Sequence, residues 1–293
     1  MKPTSVICCF LFAGMMPAAL CAGELTDRFV AEARRVYATE EYADCKKSIL
    51  NEPAYRGAAK RVPRADLGEG TVRWIDVDGT CNFRDIGGWT GLRTGRVYRG
   101  AEPNCHTNAE TLARLKIKKC HDLFLTEKGA ATLSRDLKIR TDLDLRSSGE
   151  SPTPDETPVP GAKLVRIACS SYTNFLRDTK TAAKLLRVFA DEANYPVYFH
   201  CYGGADRTGS LAFLLEGLCG VSEVDLSIDY ELTSFSRIGF RPRYDESYYF
   251  ASMVREMKRR PGNTMKEKIE RYVLDECGLS PAEVANIRRV LCQ

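Results

Sequence analysis

The sequence predicts an α/β fold: a central, mostly parallel sheet flanked by helices. Three observations carry this. Strand-like runs alternate with helical stretches along the chain, the pattern of a parallel sheet with helical cover. Arg140–Arg146 alternates cleanly, with Ile139, Thr141, Leu143 and Leu145 on one side and Arg140, Asp142, Asp144 and Arg146 on the other. It reads as a strand leading into a loop at the carboxyl edge of the sheet, where α/β folds bind ligands. Finally, Val197–His200 is a short apolar run, followed by a glycine-bearing loop and then by Leu211–Leu215, which is apolar on every face and reads as a buried helix.

The other elements follow in order. Residues 24–41 are helical, with Phe29, Val30, Ala33 and Val36 on one face. Residues 42–70 are mixed and polar, broken by Pro53, Pro63, Gly68 and Gly70. Residues 71–76 alternate as a strand, and Val97–Arg99 is another. Residues 147–161 carry Pro152, Pro154, Pro158 and Pro160 and form an irregular loop. Lys163–Ala168 is a strand and Thr179–Glu192 a helix. Ser222–Asp225 opens a helix that carries Asp229 and Tyr230, and Asp245–Lys258 is helical. Thr264 with Glu267, and Ser280 with Glu283, are capping boxes for the last helices, with Gly278 a natural C-terminal cap between them.

The loop after Val197–His200 carries the chemistry. It reads His200-Cys201, then five residues including Gly203 and Gly204, then Arg207-Thr208-Gly209. A strand end, a tight loop and a helix start make an anion cradle, because successive backbone N–H groups point inward and the helix N-terminus adds positive potential. Glycines permit the backbone angles required, and Arg207 supplies a planar fork matching two phosphate oxygens. A thiol there falls from ~8.5 to about 3.5–7.5, and the thiolate is a nucleophile. The competing reading is a small buried apolar cysteine at a strand end. The joint occurrence of Cys, Gly-Gly, Arg, Thr and Gly at loop spacing favours the functional reading.

These residues resemble the protein tyrosine phosphatase superfamily, and the Asp-Arg-Thr-Gly ending resembles its bacterial and fungal tyrosine phosphatase family. Asn82-Phe83-Arg84-Asp85-Ile86-Gly87-Gly88, Asp144-Leu145-Arg146-Ser147 with Glu150, and Asp229-Tyr230-Glu231-Leu232-Thr233 match the same pattern, over roughly residues 76 to 291. The resemblance implies a cysteine-phosphatase-like fold and two-step phosphate ester hydrolysis through a cysteinyl-phosphate. Cys201 is the nucleophile, and Arg207 with the N–H groups of residues 202–207 holds the phosphate oxygens. Tyr202, Gly203, Gly204, Ala205 and Thr208 complete the cradle, with Thr208 hydrogen-bonding the thiolate and His200 orienting the loop. Asp206 is the general acid, with Asp144 the competing candidate. Asp144 and Arg84 are placed at the substrate, although Arg84 and Asp85 have an equally good structural reading as a side-chain-tied turn. Tyr202 stacks on a substrate ring or supports the loop from outside. No metal or cofactor is implied, since thiolate and guanidinium handle the charge.

Two departures stand out. Many members carry Lys before the Asp-Arg pair, a charge suited to polyphosphorylated substrates; Ala205 stands here. That places a phosphotyrosine (or dual-specificity) protein or peptide ahead of a phosphoinositide or inositol phosphate. Leu125–Gly129 fits the family's threonine-led helix, so residues 104–124, with Cys105 and Cys120, are an extra piece: a lid over the site or a surface elaboration. A silent phosphate-binding module would not need the thiol, and the loop length and Arg-Thr-Gly ending disfavour a rhodanese-like sulfurtransferase.

Composition bounds the rest. The 293 residues are 44% hydrophobic and 28% charged, which suits one globular domain with an N-terminal extension. A net charge of +4 without basic runs gives no argument for nucleic acid. Lys2, the apolar run Val6–Met16 and the small residues up to Ala22 read as a secretory signal peptide, cleaved after Ala22. The expected organisation is signal peptide 1–22, helical extension 23–75 and catalytic domain 76–293. The mature protein is expected to be exported, periplasmic or secreted, without membrane insertion. Besides Cys201, eight cysteines remain beyond the signal region, and export makes disulfides among them plausible, with Cys45 a tether for the extension. Three histidines in all argue against a metal site.

Overall fold

The computed structural model describes residues 22–56, 74–103 and 125–293, apart from 152, 154 and 246. The extra piece at 104–124 and the signal region to residue 21 lie outside the described residues. Five strands form one sheet: β1 (Arg84–Asp85), β2 (Val97–Gly100), β3 (Thr141–Asp144), β4 (Lys163–Arg166) and β5 (Val197–His200), in the order β1-β2-β5-β3-β4. Only β1 and β2 pair antiparallel; the other three pairings are parallel. The β2, β3 and β5 residues are buried throughout, as central strands covered on both faces must be, while edge strand β4 is half-exposed. The carboxyl end of β5 therefore opens at the middle of the sheet, between β2 and β3.

Helices cover the sheet: α1 (Ala22–Tyr37), α2 (Glu127–Ala131), α3 (Tyr172–Arg177), α4 (Thr179–Ala190), α5 (Asp206–Leu218), α6 (Glu223–Leu232), α7 (Phe250–Lys258), α8 (Met265–Arg271) and α9 (Pro281–Leu291). α5, buried from Thr208 to Leu218, is the core helix expected on all-round apolarity. Thr126 caps α2 through the Gly129 N–H, and Ser280 with Glu283 forms a complete capping box on α9. At α8 the box is offset: Thr264 caps Glu267 N–H, but the Glu267 carboxylate accepts from Asn263 N–H.

The extension is part of the core. Phe29, Val30, Ala33 and Tyr37 of α1 pack in the same apolar cluster as α5 and α6. Phe29 lies 4.9 Å from Phe235, and Tyr37 Oη donates to Glu231 Oε2 at 2.6 Å. Cys45 is no disulfide tether; it is a buried free thiol 3.6 Å from Ser227 Oγ.

Three expectations need correction. In the 71–76 segment the described part is no strand beyond a bridge from Trp74 to Arg84. The helix expected from Asp245 starts at Phe250, because the Asp245 carboxylate instead accepts from Ser252 N–H and the Ser252 hydroxyl. Helix α3 falls in a stretch assigned no element; it starts at Tyr172, whose φ of 57° lies in the left-handed region.

Candidate active site

Cys201 follows the last residue of β5, and the loop to Asp206 enters α5. The loop's shape is set from behind. Gly204, at φ 64°, sits so close to β2 that a Cβ would lie 2.1 Å from the Gly100 carbonyl oxygen, so only glycine fits. The loop carbonyls are anchored away from the cleft. Tyr202 O accepts from Glu102 N–H at 3.0 Å, Gly203 O from Asn82 Nδ2 at 2.8 Å, and Gly204 O from Arg99 Nη2 at 2.9 Å. Ala205 O accepts from Gly209 N–H at 2.7 Å. In a trans peptide the following N–H points opposite to the carbonyl. Carbonyls tied outward therefore turn the amides of the loop inward, as an anion cradle requires.

The anchors are held by buried charge. Asp229 binds both Arg84 (Nε to Oδ1, 3.0 Å) and Arg99 (Nη1 to Oδ2), and Arg84 Nη1 donates to Asn82 Oδ1 at 2.7 Å. Burial drives the Arg84 guanidinium down to about 10, with Arg99 adding to the effect and Asp229 opposing it. On the other side His200 lies between Asp142 Oδ1, 2.9 Å from Nε2, and the Cys201 carbonyl, 3.2 Å from Nδ1. Burial would lower this imidazole, but Asp142 and Asp144 outweigh it and raise it. Set between the Asp142 carboxylate and the Cys201 carbonyl, His200 supports the loop from beneath.

Burial also pushes the Cys201 thiol up. The Arg207 guanidinium, the Thr208 hydroxyl at 3.2 Å from Sγ and the Thr208 N–H pull it the other way, and the net result is below the ordinary thiol value. Arg207 Nη1 is 3.1 Å from Glu150 Oε2 and 3.4 Å from the Leu145 carbonyl. Glu150 is pushed up by burial but held lower, as the anion, by Ser147 and Arg207. The Tyr202 ring lies against both Arg207 and Arg146, 5.4 and 5.5 Å away, and its hydroxyl donates to Glu150 O at 3.1 Å. The ring thus supports the arginine and is committed to it. Nearby Cys169, whose N–H shares the Leu145 carbonyl, is pushed by burial up to about 12 and stays a thiol.

Above the sulfur opens a cleft of about 410 Å³. Cys201, Tyr202, Gly203, Asp206 and Arg207 line it with Ser170, Ser171 and Asn174. Gly204, Ala205 and Thr208 shape the loop from behind. Two expected substrate contacts do not reach the cleft. Arg84 is 1% exposed and spent on Asp229 and Asn82. Asp144, also 1% exposed, is spent on Arg146 and Arg166, so Asp206 is the carboxyl that lines the cleft. The sequence reading missed Arg99, Tyr172 and Arg241. Arg241 Nε donates to Asp206 Oδ1 at 3.0 Å and Tyr172 Oη to the same oxygen. Among the described residues no group of three or more potential metal ligands occurs, and no helix is long and apolar enough to cross a membrane.

Among solved structures, the chain is similar to the core catalytic domain of the PP-IP phosphatase Siw14 from S. cerevisiae in complex with citrate. Identity is 19% and the TM-score 0.36, over 63% of this chain and 86% of that one. A second structure of the Siw14 catalytic core matches at 20% identity and TM-score 0.34, over 52% of this chain and 79% of that one. No curated protein sequence matches significantly. A model of the tyrosine phosphatase family matches residues 75–123 and 124–293. With most of its length matched, and a loop built to bind an anion against a thiolate, the chain belongs to the tyrosine phosphatase family.

Proposed function

We propose that this phosphatase hydrolyses phosphotyrosine in proteins or peptides, with dual specificity within reach, through a cysteinyl-phosphate on Cys201. The observation that carries the chemistry is the Cys201 sulfur, lowered in pKa by Arg207 and Thr208, on the floor of an open cleft. The thiolate attacks phosphorus, and the S–P bond forms as the ester P–O bond breaks. The inward amides and Arg207 hold the equatorial oxygens, where charge sits in the transition state. Asp206, at the cleft wall, gives its proton to the leaving oxygen. It then takes one from the water that cleaves the S–P bond, returning the thiolate and releasing inorganic phosphate.

Support for an aryl ester comes from the rim. Phe240 is 43% exposed and Tyr249 is 59% exposed; Phe240 adjoins Arg241, and the Tyr249 ring is 6.4 Å from that of Tyr172. Each neighbours a residue that holds Asp206, Arg241 or Tyr172, and offers apolar surface to a peptide. The rival substrate is an inositol phosphate or phosphoinositide, favoured by the Ser170, Ser171 and Asn174 hydroxyl and amide groups in the cleft. Under this reading the protein is exported once residues 1–22 are removed.

The test is hydrolysis of a phosphotyrosine peptide against inositol phosphates, under reducing conditions with chelator, by protein starting at residue 23. Peptide turnover that is lost in Cys201→Ser and falls about 10²-fold in Asp206→Asn is expected. Turnover of inositol phosphates alone would transfer the assignment to the rival.

A further inference from the structure

Asp206 is the first residue of α5 and its carboxylate is gripped unevenly. Oδ1 accepts from the Tyr172 hydroxyl and from Arg241 Nε at 3.0 Å, whereas among the described residues Oδ2 accepts only from Arg241 Nη2 at 3.4 Å. Tyr172 is tied to α5 at both ends. Its N–H donates to Ser210 Oγ at 2.7 Å, and Ser210 Oγ donates to Asp206 O at 2.9 Å. Its backbone is held at φ 57°, a region that bulky residues avoid and that clusters at functional sites. Tyr230 Oη lies 2.7 Å from Tyr172 Oη. Tyr230 is in turn stacked on Phe250 at 4.3 Å and passes so close to Gly209 that a Cβ there would sit 3.1 Å from its ring. Gly209 of the loop signature and Tyr230 of the Asp-Tyr motif thus converge on one hydroxyl chain.

We propose that Tyr172, backed by Tyr230, is a positioning residue for the catalytic acid: it donates to Asp206 Oδ1 and so leaves Oδ2 as the oxygen that carries and delivers the proton. Tyr230 gives its hydrogen to Tyr172 Oη, which fixes the Tyr172 hydrogen toward Asp206. With Oδ1 saturated by two donors, a proton on the carboxyl resides on Oδ2. It passes from there to the leaving oxygen as the P–O bond breaks, and the attacking water restores it. This rests on the reading of Asp206 as the acid.

The test uses leaving-group dependence, because an acid matters most when the departing oxygen is basic. Initial rates are measured on phenyl phosphate and on dinitrophenyl phosphate for wild type, Tyr172→Phe, Tyr230→Phe, Asp206→Asn and the double variant Tyr172→Phe/Asp206→Asn. Phenylalanine keeps the ring packing and removes only the hydroxyl. The ratio of kcat on the poor leaving group to kcat on the good one is expected to fall about tenfold in Tyr172→Phe, with KM unmoved, and less in Tyr230→Phe. In the Asp206→Asn background Tyr172→Phe adds no further fall. An equal loss on both esters, or a full additional loss in the double variant, overturns the positioning role while leaving Asp206 as acid. A ratio unaffected by Asp206→Asn itself overturns both.

Discussion

Cys45 and Cys201 are both buried, at 2% and 4% exposure, on one continuous core. Cys45 has a hydroxyl 3.6 Å away, that of Ser227, and burial, outweighing Arg243 and that contact, pushes it up to about 11. Cys201 has a hydroxyl at 3.2 Å, a backbone N–H and the Arg207 guanidinium, and these carry it below the ordinary thiol value against the same burial penalty. Enclosure by itself therefore makes an inert thiol, and directed donors with a fixed cation make a nucleophile. The contrast extends to the backbone: the loop after Cys201 has its carbonyls tied outward by Asn82, Arg99 and Glu102, whereas Asp44 and Cys45, at φ 56° and 57°, end the short helix Glu40–Cys45.

The largest effect that sharpens this comparison is Cys201→Ser, expected to lower kcat on a phosphotyrosine peptide at least about 10⁴-fold. Arg207→Lys keeps the charge but loses the fork, and kcat/KM in the same assay is expected to fall about 10²–10³-fold. Thr208→Val removes the hydroxyl from the sulfur. The lowered Cys201 thiol is ionised above its folded pKa and loses the thiolate as pH falls. Without Thr208 that acid limb moves up by roughly one pH unit, read from the pH dependence of iodoacetamide alkylation. Cys45→Ala is expected to leave kcat within about twofold, and Cys45 in the folded protein resists alkylation at neutral pH. A Cys45 that reacts as fast as Cys201 would break the comparison outright.

What was legible in the sequence was what is local in it. Cys201, Asp206, Arg207 and Thr208 lie within eight residues, and strand, glycine loop and buried helix place them without knowledge of the rest. The sheet was legible for the same reason: β3 and β5 show their pattern over a few residues. Distant partners were not. Arg99 reads as a charge in a strand, and only the fold carries it under Gly204. Arg241 and Tyr172 reach Asp206 from stretches 35 and 34 residues away in the chain, and nothing local in either stretch marks them.

Arg84 was placed at the substrate by resemblance, with a side-chain-tied turn as its equal alternative, and Asp144 because its strand ends at the carboxyl edge of the sheet, where α/β folds bind ligands. Here both faces of the sheet are covered, so these charges were buried and had to be satisfied by one another: Arg84 with Asp229, Asp144 with Arg146 and Arg166. The helix at Tyr172 escaped notice because Ser170–Asn174 is polar and its start is left-handed. Tertiary contacts with Ser210, Asp206 and Tyr230, not local propensity, hold it.

The central claim is that Cys201 is a thiolate nucleophile that becomes phosphorylated. The most direct measurement mixes Asp206→Asn protein with a dinitrophenyl phosphate ester. Its good leaving group allows attack without the acid, while water attack on the intermediate is slowed. The reaction is then quenched in acid and the peptides are mapped by mass spectrometry. The account predicts a phosphoryl group on the peptide containing Cys201, absent from Cys201→Ser/Asp206→Asn. Turnover without any phosphocysteine, or a phosphoryl group on another residue, would contradict it.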